Sequence, residues 1–417
     1  MSAAVAANDR IRSESPPLNV LVDGRVMQDR FHGIGRYTYE LLRELSKSDV
    51  RLTVLYNPTK GRLDISELLD QPNVHALKSR TPVASLRSQL TLLRAALTCR
   101  PDVIFVPYHL STPIVHGRIP VLAVMHDCIF ERHAEANGRT AFSMAYRAFS
   151  RLAVRSATAL ACPSEASRYD IQRFYGADLP AEAVLPHGVG TQFFSLSTGP
   201  LASGAELPGP YILHVGARRP HKNQALLVRA LAQLRARHPD LGLVLVGQPD
   251  PRVPDEAGEL VTALGLAEYV RQLTHADDEL LKELYANAAV FAFPSLVEGF
   301  GMPILEAMAA GIPTVASDAE AVVEAASGGA LIVPATMTER WVEALDQVLS
   351  DPATAQRLRE RGRTVAATRT WAMSAERTLA LLIKVANDSA SRRENAMRET
   401  RGGVANVMTT TPASGRN

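Results

Sequence analysis

Apolar residues arrive in this chain in two rhythms that alternate. Short continuous runs at 18–22, 52–56, Val103–Val106, 121–125 and 157–162 predict buried parallel strands. A strand covered on both faces loses the apolar–polar alternation of a half-exposed one. Between these runs the spacing is helical: Tyr37, Leu41, Leu42 and Leu45 fall on one face at 3.6 residues per turn. The pattern restarts at Tyr211–Val215, with a loop at 216–223, a helix at 224–237 and strands at 243–246, 290–294, 314–316 and 330–333. Alternation of this kind predicts doubly wound α/β sheets, one in each half.

The ends and the middle break the rhythm. Residues 1–17 are polar and end on prolines, and 389–417 hold almost no aliphatic side chain, so both are expected to be disordered. Residues 195–210 are rich in Gly, Pro and Ser, the composition of a linker. The expected division is a tail at 1–17, a first domain at 18–194, a linker at 195–210 and a second domain at 211–370. A helix at 371–388 is expected to return to the first domain, before a tail at 389–417. A chain of 417 residues has the length for two cores.

Composition narrows the function. Lys+Arg of 45 against Asp+Glu of 43 argues against a nucleic-acid binder, which carries a basic excess. The balance is uneven along the chain: residues 1–200 hold 23 basic and 18 acidic side chains, so the first half is positive. Cys99, Cys128 and Cys162 are too few and too far apart for a disulfide framework or a cysteine zinc site, and suit a reducing compartment. No run of about 18 apolar residues predicts a membrane span. The first residues lack the apolar core of a signal peptide, so a cytoplasmic location is expected.

Three segments carry chemistry. Gly33-Ile-Gly35-Arg36 is read as a loop that follows the first strand and opens a helix. Glycines there let backbone N–H groups approach a phosphate. The spacing is not Gly-x-Gly-x-x-Gly, which disfavours an NAD-dependent oxidoreductase. Gly216-Ala-Arg218-Arg219-Pro-His221-Lys222-Asn223 also joins strand to helix. Its cations suit a pyrophosphate, with Arg as a fork and Lys as a point charge. The third runs Glu298-Gly-Phe300-Gly301-Met302-Pro-Ile-Leu-Glu306-Ala-Met-Ala-Ala-Gly311-Ile-Pro. Two carboxylates in so apolar a stretch need partners or a ligand, because burying them alone costs several kcal/mol.

This third segment resembles the signature of glycosyltransferase family 4, retaining enzymes that use sugar nucleotides. The resemblance covers roughly residues 18–385 and takes in His126-Asp127 and the turn Pro186-His187-Gly-Val189. It implies the GT-B fold, an α/β architecture of two Rossmann-like domains facing a cleft, with the acceptor on the first domain and the donor on the second. It implies that Glu306 binds the ribose and that Glu298, with the amides of Phe300, Gly301 and Met302, holds the donor sugar. Lys222 and Arg218 or Arg219 neutralise the diphosphate, Gly33 and Gly35 let the first domain close over it, and His126 stands beside the reacting carbon. His109 and Asp127 are acceptor-side candidates. The chain departs from the family pattern at His221, where Arg is common, and at His187, where Asn is common. Arg218 also lies farther from the loop glycine than the family's phosphate-binding Arg.

The resemblance further implies front-side attack, with the leaving phosphate taking the acceptor's proton. No Asp-x-Asp occurs in the chain, so neither a metal nor another cofactor is expected. The favoured donor is GDP-mannose, because Gly-Ile-Gly-Arg-Tyr resembles mannosyltransferases of surface polysaccharide assembly. UDP-glucose or UDP-N-acetylglucosamine is the alternative donor. Other readings are a GT-B sugar-nucleotide epimerase and a non-catalytic nucleotide-sugar binder. The expected acceptor is a glycan, a glycolipid or a small molecule. Arg147, Arg151 and Arg155 recur every four residues on one helix face. One reading is peripheral contact with an anionic membrane at its inner face; the other is an ordinary solvated face.

Overall fold

The computed structural model describes residues 16–408 except 28–31, 60–62, 84, 133–140, 200–206 and 208. The first expected tail and half of the expected linker therefore fall mostly outside the described residues. The first domain runs β1 (Leu18–Asp23), α1 (His32–Leu45), β2 (Val50–Tyr56), α2 (Ser66–Leu69), β3 (Val74–Lys78), α3 (Leu86–Cys99) and β4 (Val103–Val106), continuing with β5 (Val121–Val124), α4 (Ile129–Arg132), α5 (Ala141–Ser156), β6 (Ala159–Ala161) and α6 (Glu165–Tyr175). The second runs β7 (Tyr211–Val215), α7 (Gln224–Leu234), β8 (Gly242–Val246), α8 (Glu256–Ala263), β9 (Val270–Leu273), α9 (Asp278–Asn287) and β10 (Val290–Phe293). It ends with α10 (Met302–Ala309), β11 (Thr314–Ser317), α11 (Glu320–Ala326), β12 (Leu331–Val333), α12 (Thr338–Ser350) and α13 (Pro352–Ala367), and α14 (Trp371–Met408) closes the chain.

Each domain holds one six-stranded sheet, ordered β3-β2-β1-β4-β5-β6 and β12-β11-β10-β7-β8-β9. Every pairing is parallel. The two orders are the same. Both reverse direction between the first and fourth strands, β1 and β4 or β7 and β10, where open α/β sheets bind ligands at the strands' carboxyl ends. All residues of β4 and β8 are buried, which is why the apolar runs are continuous. The edge strands β3 and β9 were not evident in the sequence because they are half exposed and mix polar with apolar residues.

Three boundaries differ from expectation. The helix expected at 37–45 starts at His32, so Gly33 and Gly35 lie in its first turn and not in a loop. The helix expected at 224–237 ends at Leu234. The tail expected from 389 begins as helix, since α14 runs on to Met408. Its Ala, Arg and Glu residues are strong helix formers. The missing aliphatic stripe reports only the lack of a surface to pack on, and side chains 391–395 are mostly exposed.

Upstream, α14 lies in the first domain's core, with Trp371, Ala375, Leu381, Leu382 and Val385 buried there. The chain therefore passes between domains twice, and the two passages touch. Val189 N–H donates to the Arg369 carbonyl at 2.8 Å and Val189 pairs with Thr370 as an isolated bridge. Any Cβ on Gly188 would stand 2.3 Å from the Trp371 nitrogen, so only glycine permits this approach. Among the described residues no helix is long and apolar enough to cross a membrane.

Candidate active site

The second domain contributes two loops at its switch point. After β10 the chain turns into α10 at Gly301, whose φ of +114° is open to glycine and strained for other residues. Pro303 then fits the first helical turn, where its missing N–H costs nothing. The loop after β7 ends in a short 3-10 turn, Pro220–Lys222. The two loops are tied together: Leu296 N–H donates to the His221 carbonyl at 2.7 Å, and the Asn223 amide donates to the carbonyls of Ala335 and Pro294.

Both glutamates have partners, as their apolar surroundings require. Lys222 Nζ donates to Glu298 Oε1 at 2.5 Å, and the two side chains are 16% and 9% exposed. Glu306 lies inside α10, where Tyr285 Oη donates to Oε2 at 2.9 Å. Burial raises the Glu306 pKa above the ordinary carboxylate range, opposed by the Arg36 guanidinium. Arg36 comes from the other domain: its Nε is 4.0 Å from Glu306 Oε1, and its Nη1 donates to Asp278 Oδ1 at 3.2 Å. Gly33, one turn before it, faces the same helix start, since a Cβ there would lie 3.6 Å from Met302 Cε.

Across the cleft the first domain presents two neutral histidines and one carboxyl group. His126 Nε2 bonds the Pro107 carbonyl at 2.8 Å, which assigns its proton to that nitrogen. Burial pushes the His126 pKa down to about 4 and that of His109 to about 3. His109 is taken up by Ser150 Oγ at 3.0 Å. Asp127 follows His126, and burial raises its pKa to about 6, with Glu298 adding to the effect. Gly299 presses on this turn, because a Cβ there would stand 2.0 Å from the His126 carbonyl oxygen. Ser164 and Ser167 hydroxyls donate to the Gly299 carbonyl at 2.7 and 3.1 Å, which holds the two domains together at this point.

The structure thus gathers His126, Asp127, Lys222, Glu298 and Gly299, and beside them Gly33, Met302 and Glu306. Phe300 is buried against His187, ring centres 5.0 Å apart. Arg218 and Arg219 point elsewhere: Arg218 Nη1 donates to Asp255 at 2.8 Å, and Arg219 Nε is 3.3 Å from Asp250. Arg36, Tyr37, His187 and Tyr285 complete the site. Sequence reasoning assigned none of them a role, although Arg36 and Tyr37 stand next to Gly35.

Known proteins share both halves. A model described as Glycosyltransferase Family 4 matches residues 31–193, and one described as Glycosyl transferases group 1 matches residues 202–365. The D-inositol 3-phosphate glycosyltransferase of Kineococcus radiotolerans is 33% identical over 58% of this chain and 60% of its own length. The GDP-mannose-dependent alpha-(1-6)-phosphatidylinositol monomannoside mannosyltransferase of Mycolicibacterium smegmatis is 33% identical over 47% of this chain and 55% of its own. The chain thus spans less than two thirds of each of these relatives. The sucrose-phosphate synthase of Thermosynechococcus elongatus shares the fold, with a TM-score of 0.69 at 19% identity over 89% of this chain and 99% of that one.

Proposed function

The chain belongs to the glycosyltransferases that join these two domains, and from that premise we propose a retaining hexosyltransferase that uses a nucleotide-diphosphate sugar. The observation that carries the reading is the pair of buried glutamates facing Lys222 and Arg36 at the switch point. A nucleotide laid across this edge gives Glu306 its ribose hydroxyls and Lys222 its diphosphate. Glu298 and the amides of Phe300, Gly301 and Met302 hold the sugar, and His126 stands at the reacting carbon. Fixed cations and amides stabilise the charge that grows on the leaving diphosphate. The acceptor hydroxyl attacks from the same face and passes its proton to that phosphate. In this reading lysine and arginine do the work of a metal ion.

GDP-mannose is the favoured donor, and the M. smegmatis relative named for that donor supports it. UDP-glucose and UDP-N-acetylglucosamine are the second choice. A thermal shift of the purified chain with GDP, UDP, GDP-mannose, UDP-glucose and NAD, without added metal, tests both. A ligand at 100 times its Kd stabilises by about 2.7 kcal/mol. A shift with GDP compounds alone supports the mannose donor, a shift with UDP compounds replaces it, and a shift with NAD alone overturns the reading.

The acceptor is a lipid-linked glycan at the cytoplasmic leaflet. Helices α3 and α5 carry five arginines and no acidic residue. They expose Leu86, Leu90, Leu97, Met144, Phe149 and Leu152, and Leu86, Phe149 and Leu152 line one shallow groove. Exposed apolar side chains among cations suit an anionic bilayer. Arg147 is partly occupied, its Nη2 donating to the Phe130 carbonyl at 3.0 Å, whereas Arg151 and Arg155 face solvent. Flotation with phosphatidylglycerol vesicles should weaken when Arg151 and Arg155 become Gln, by about 1 kcal/mol per charge. Unchanged flotation removes the membrane from the proposal.

A further inference from the structure

The first turn of α6 is completed from the other domain. An α-helix leaves its first N–H groups without partners of its own, and in α6 each of them can be followed. Ser164 is the N-cap: its Oγ accepts from Ser167 N–H at 3.0 Å, and its carbonyl accepts from Arg168 N–H at 3.0 Å. The N–H groups of Glu165 and Ala166 remain, and both go to one carboxylate, that of Glu324 in α11. Glu165 N–H donates to Oε1 and Oε2 at 3.1 and 2.9 Å, and Ala166 N–H donates to Oε2 at 3.4 Å. The carboxylate of Glu165 does not compete for this place, because it holds Arg168 at 2.7 Å.

The same turn reaches the reacting centre. Ser164 Oγ donates to the Gly299 carbonyl at 2.7 Å. The Ser167 hydroxyl has a single proton, and two carbonyls stand within its reach, Gly299 at 3.1 Å and His126 at 3.2 Å. Four consecutive residues, 164–167, therefore connect the loop that carries Glu298, the turn that carries His126, and Glu324.

A second tie joins α11 to the first domain. Arg132 donates to Asp170 of α6 at 2.6 Å and also to Glu320 of α11. Glu320 is 64% exposed, so water and salt screen that pair. Glu324 is half-buried, and it takes up backbone groups that the helix cannot satisfy itself. It also places a negative charge at the positive end of the helix. The register between the two helices is thus set by Glu324 more than by Arg132.

We propose that Glu324 is a positioning residue for the transfer. By completing α6 it fixes Ser164 and Ser167, and through them the approach of Glu298 and Gly299 to His126. This rests on the hexosyltransferase reading above and adds to it a residue from outside the facing loops. The cap is whole only where the two domains meet, so alignment of the reacting groups and contact between α11 and α6 are one event.

Two measurements test this. Hydrogen exchange needs no substrate: in Glu324→Ala the amides of Glu165 and Ala166 should lose protection, and the loss should reach Ser167 and Arg168. Unchanged protection, or a loss confined to Glu165 and Ala166, overturns the proposal. Turnover is then read as nucleoside diphosphate released from the donor that thermal shift selects, with water as the acceptor. Glu324→Ala and Ser167→Ala should each lower kcat by about 10–100-fold, the cost of misplacing reacting groups by up to an ångström, while calorimetry finds nucleotide affinity unchanged. Because the two residues act through one contact, the double variant should lose less than the product of the single losses. Unchanged kcat in either variant, a parallel fall in nucleotide affinity, or losses that multiply would each overturn the proposal. Should Glu324→Ala fail to fold, Glu324→Met, which keeps the length but offers no oxygen, takes its place. Should no sugar nucleotide shift the wild type, the donor reading fails separately; in that case, or where water proves too slow an acceptor, hydrogen exchange decides alone.

Discussion

The two domains repeat one strand order, yet their facing edges are built from different chemistry. The second domain's edge is ionic: Lys222 on Glu298, with the Glu306 carboxylate beside it. The first domain's edge is a set of buried neutral rings, His109, His126 and Tyr37, with His187 beside them. Two groups stand apart: Arg36, a first-domain cation aimed at the second domain's Glu306, and Asp127, whose pKa of about 6 leaves it charged at neutral pH. The difference suits the proposed function, in which the ionic edge takes the charged nucleotide sugar. Charge-assisted hydrogen bonds are the stronger kind, so the ionic edge is where a charged ligand is held most firmly.

Breaking the ionic edge should do the most damage. Lys222→Ala should lower kcat by about 10²–10³, the cost of removing one fixed charge from a developing anion, as measured in a transfer assay with the donor selected by thermal shift. A loss under about tenfold would move the diphosphate elsewhere. Gly299→Ala attacks the seam, because its Cβ would meet the His126 carbonyl oxygen. Turnover should fall by about 100-fold, since small misplacement of reacting groups is that costly, while calorimetry finds nucleotide affinity little changed. Equal loss of both would mean that the seam also shapes the nucleotide site. Glu306→Ala should weaken nucleotide binding by about 10–100-fold, the value of a charged hydrogen bond, and a change within twofold would take the ribose away from Glu306.

The neutral edge is tested through pH. The Asp127 pKa rises from 3.8 to about 6 on folding, so the native state holds the proton more tightly. Stability is lost as pH rises through that window, and the loss is complete above about 6. His126 runs the other way, from 6.5 down to about 4: its contribution is full above about 6.5 and lost as pH falls to about 4. Asp127→Asn should therefore stabilise at pH 7.5 by about 2–3 kcal/mol and have little effect at pH 3.5. Chemical denaturation at the two pH values checks this, and an equal gain at both would remove the carboxylate's ionisation as the cause.

The ionic edge was also the legible one. Glu298 and Glu306 stand eight positions apart on a loop and the helix it feeds, so their nearness is local and their apolar context betrays them. Lys222 was readable from its place at a strand end. The neutral edge was not. Tyr37 and His187 are 150 positions apart in the chain, and each alone reads as an ordinary aromatic in or near a core. Arg36 meets Glu306 only because two domains close. The glycines of α1 misled for a physical reason: they suggest a loop by propensity, but tertiary packing starts the helix before them. Arg218 and Arg219 misled because the carboxylates that claim them, Asp255 and Asp250, belong to the following βα connection.

The double passage between the domains sets how the cleft can move. A single tether would let one half swivel and drift in any direction. Here two stretches of chain lie side by side, joined at Val189 and Thr370, and such a pair restrains the two domains more than a single tether would. The paired stretch passes next to His187, so this tie between the domains lies beside the candidate site and not at the far lip of the cleft.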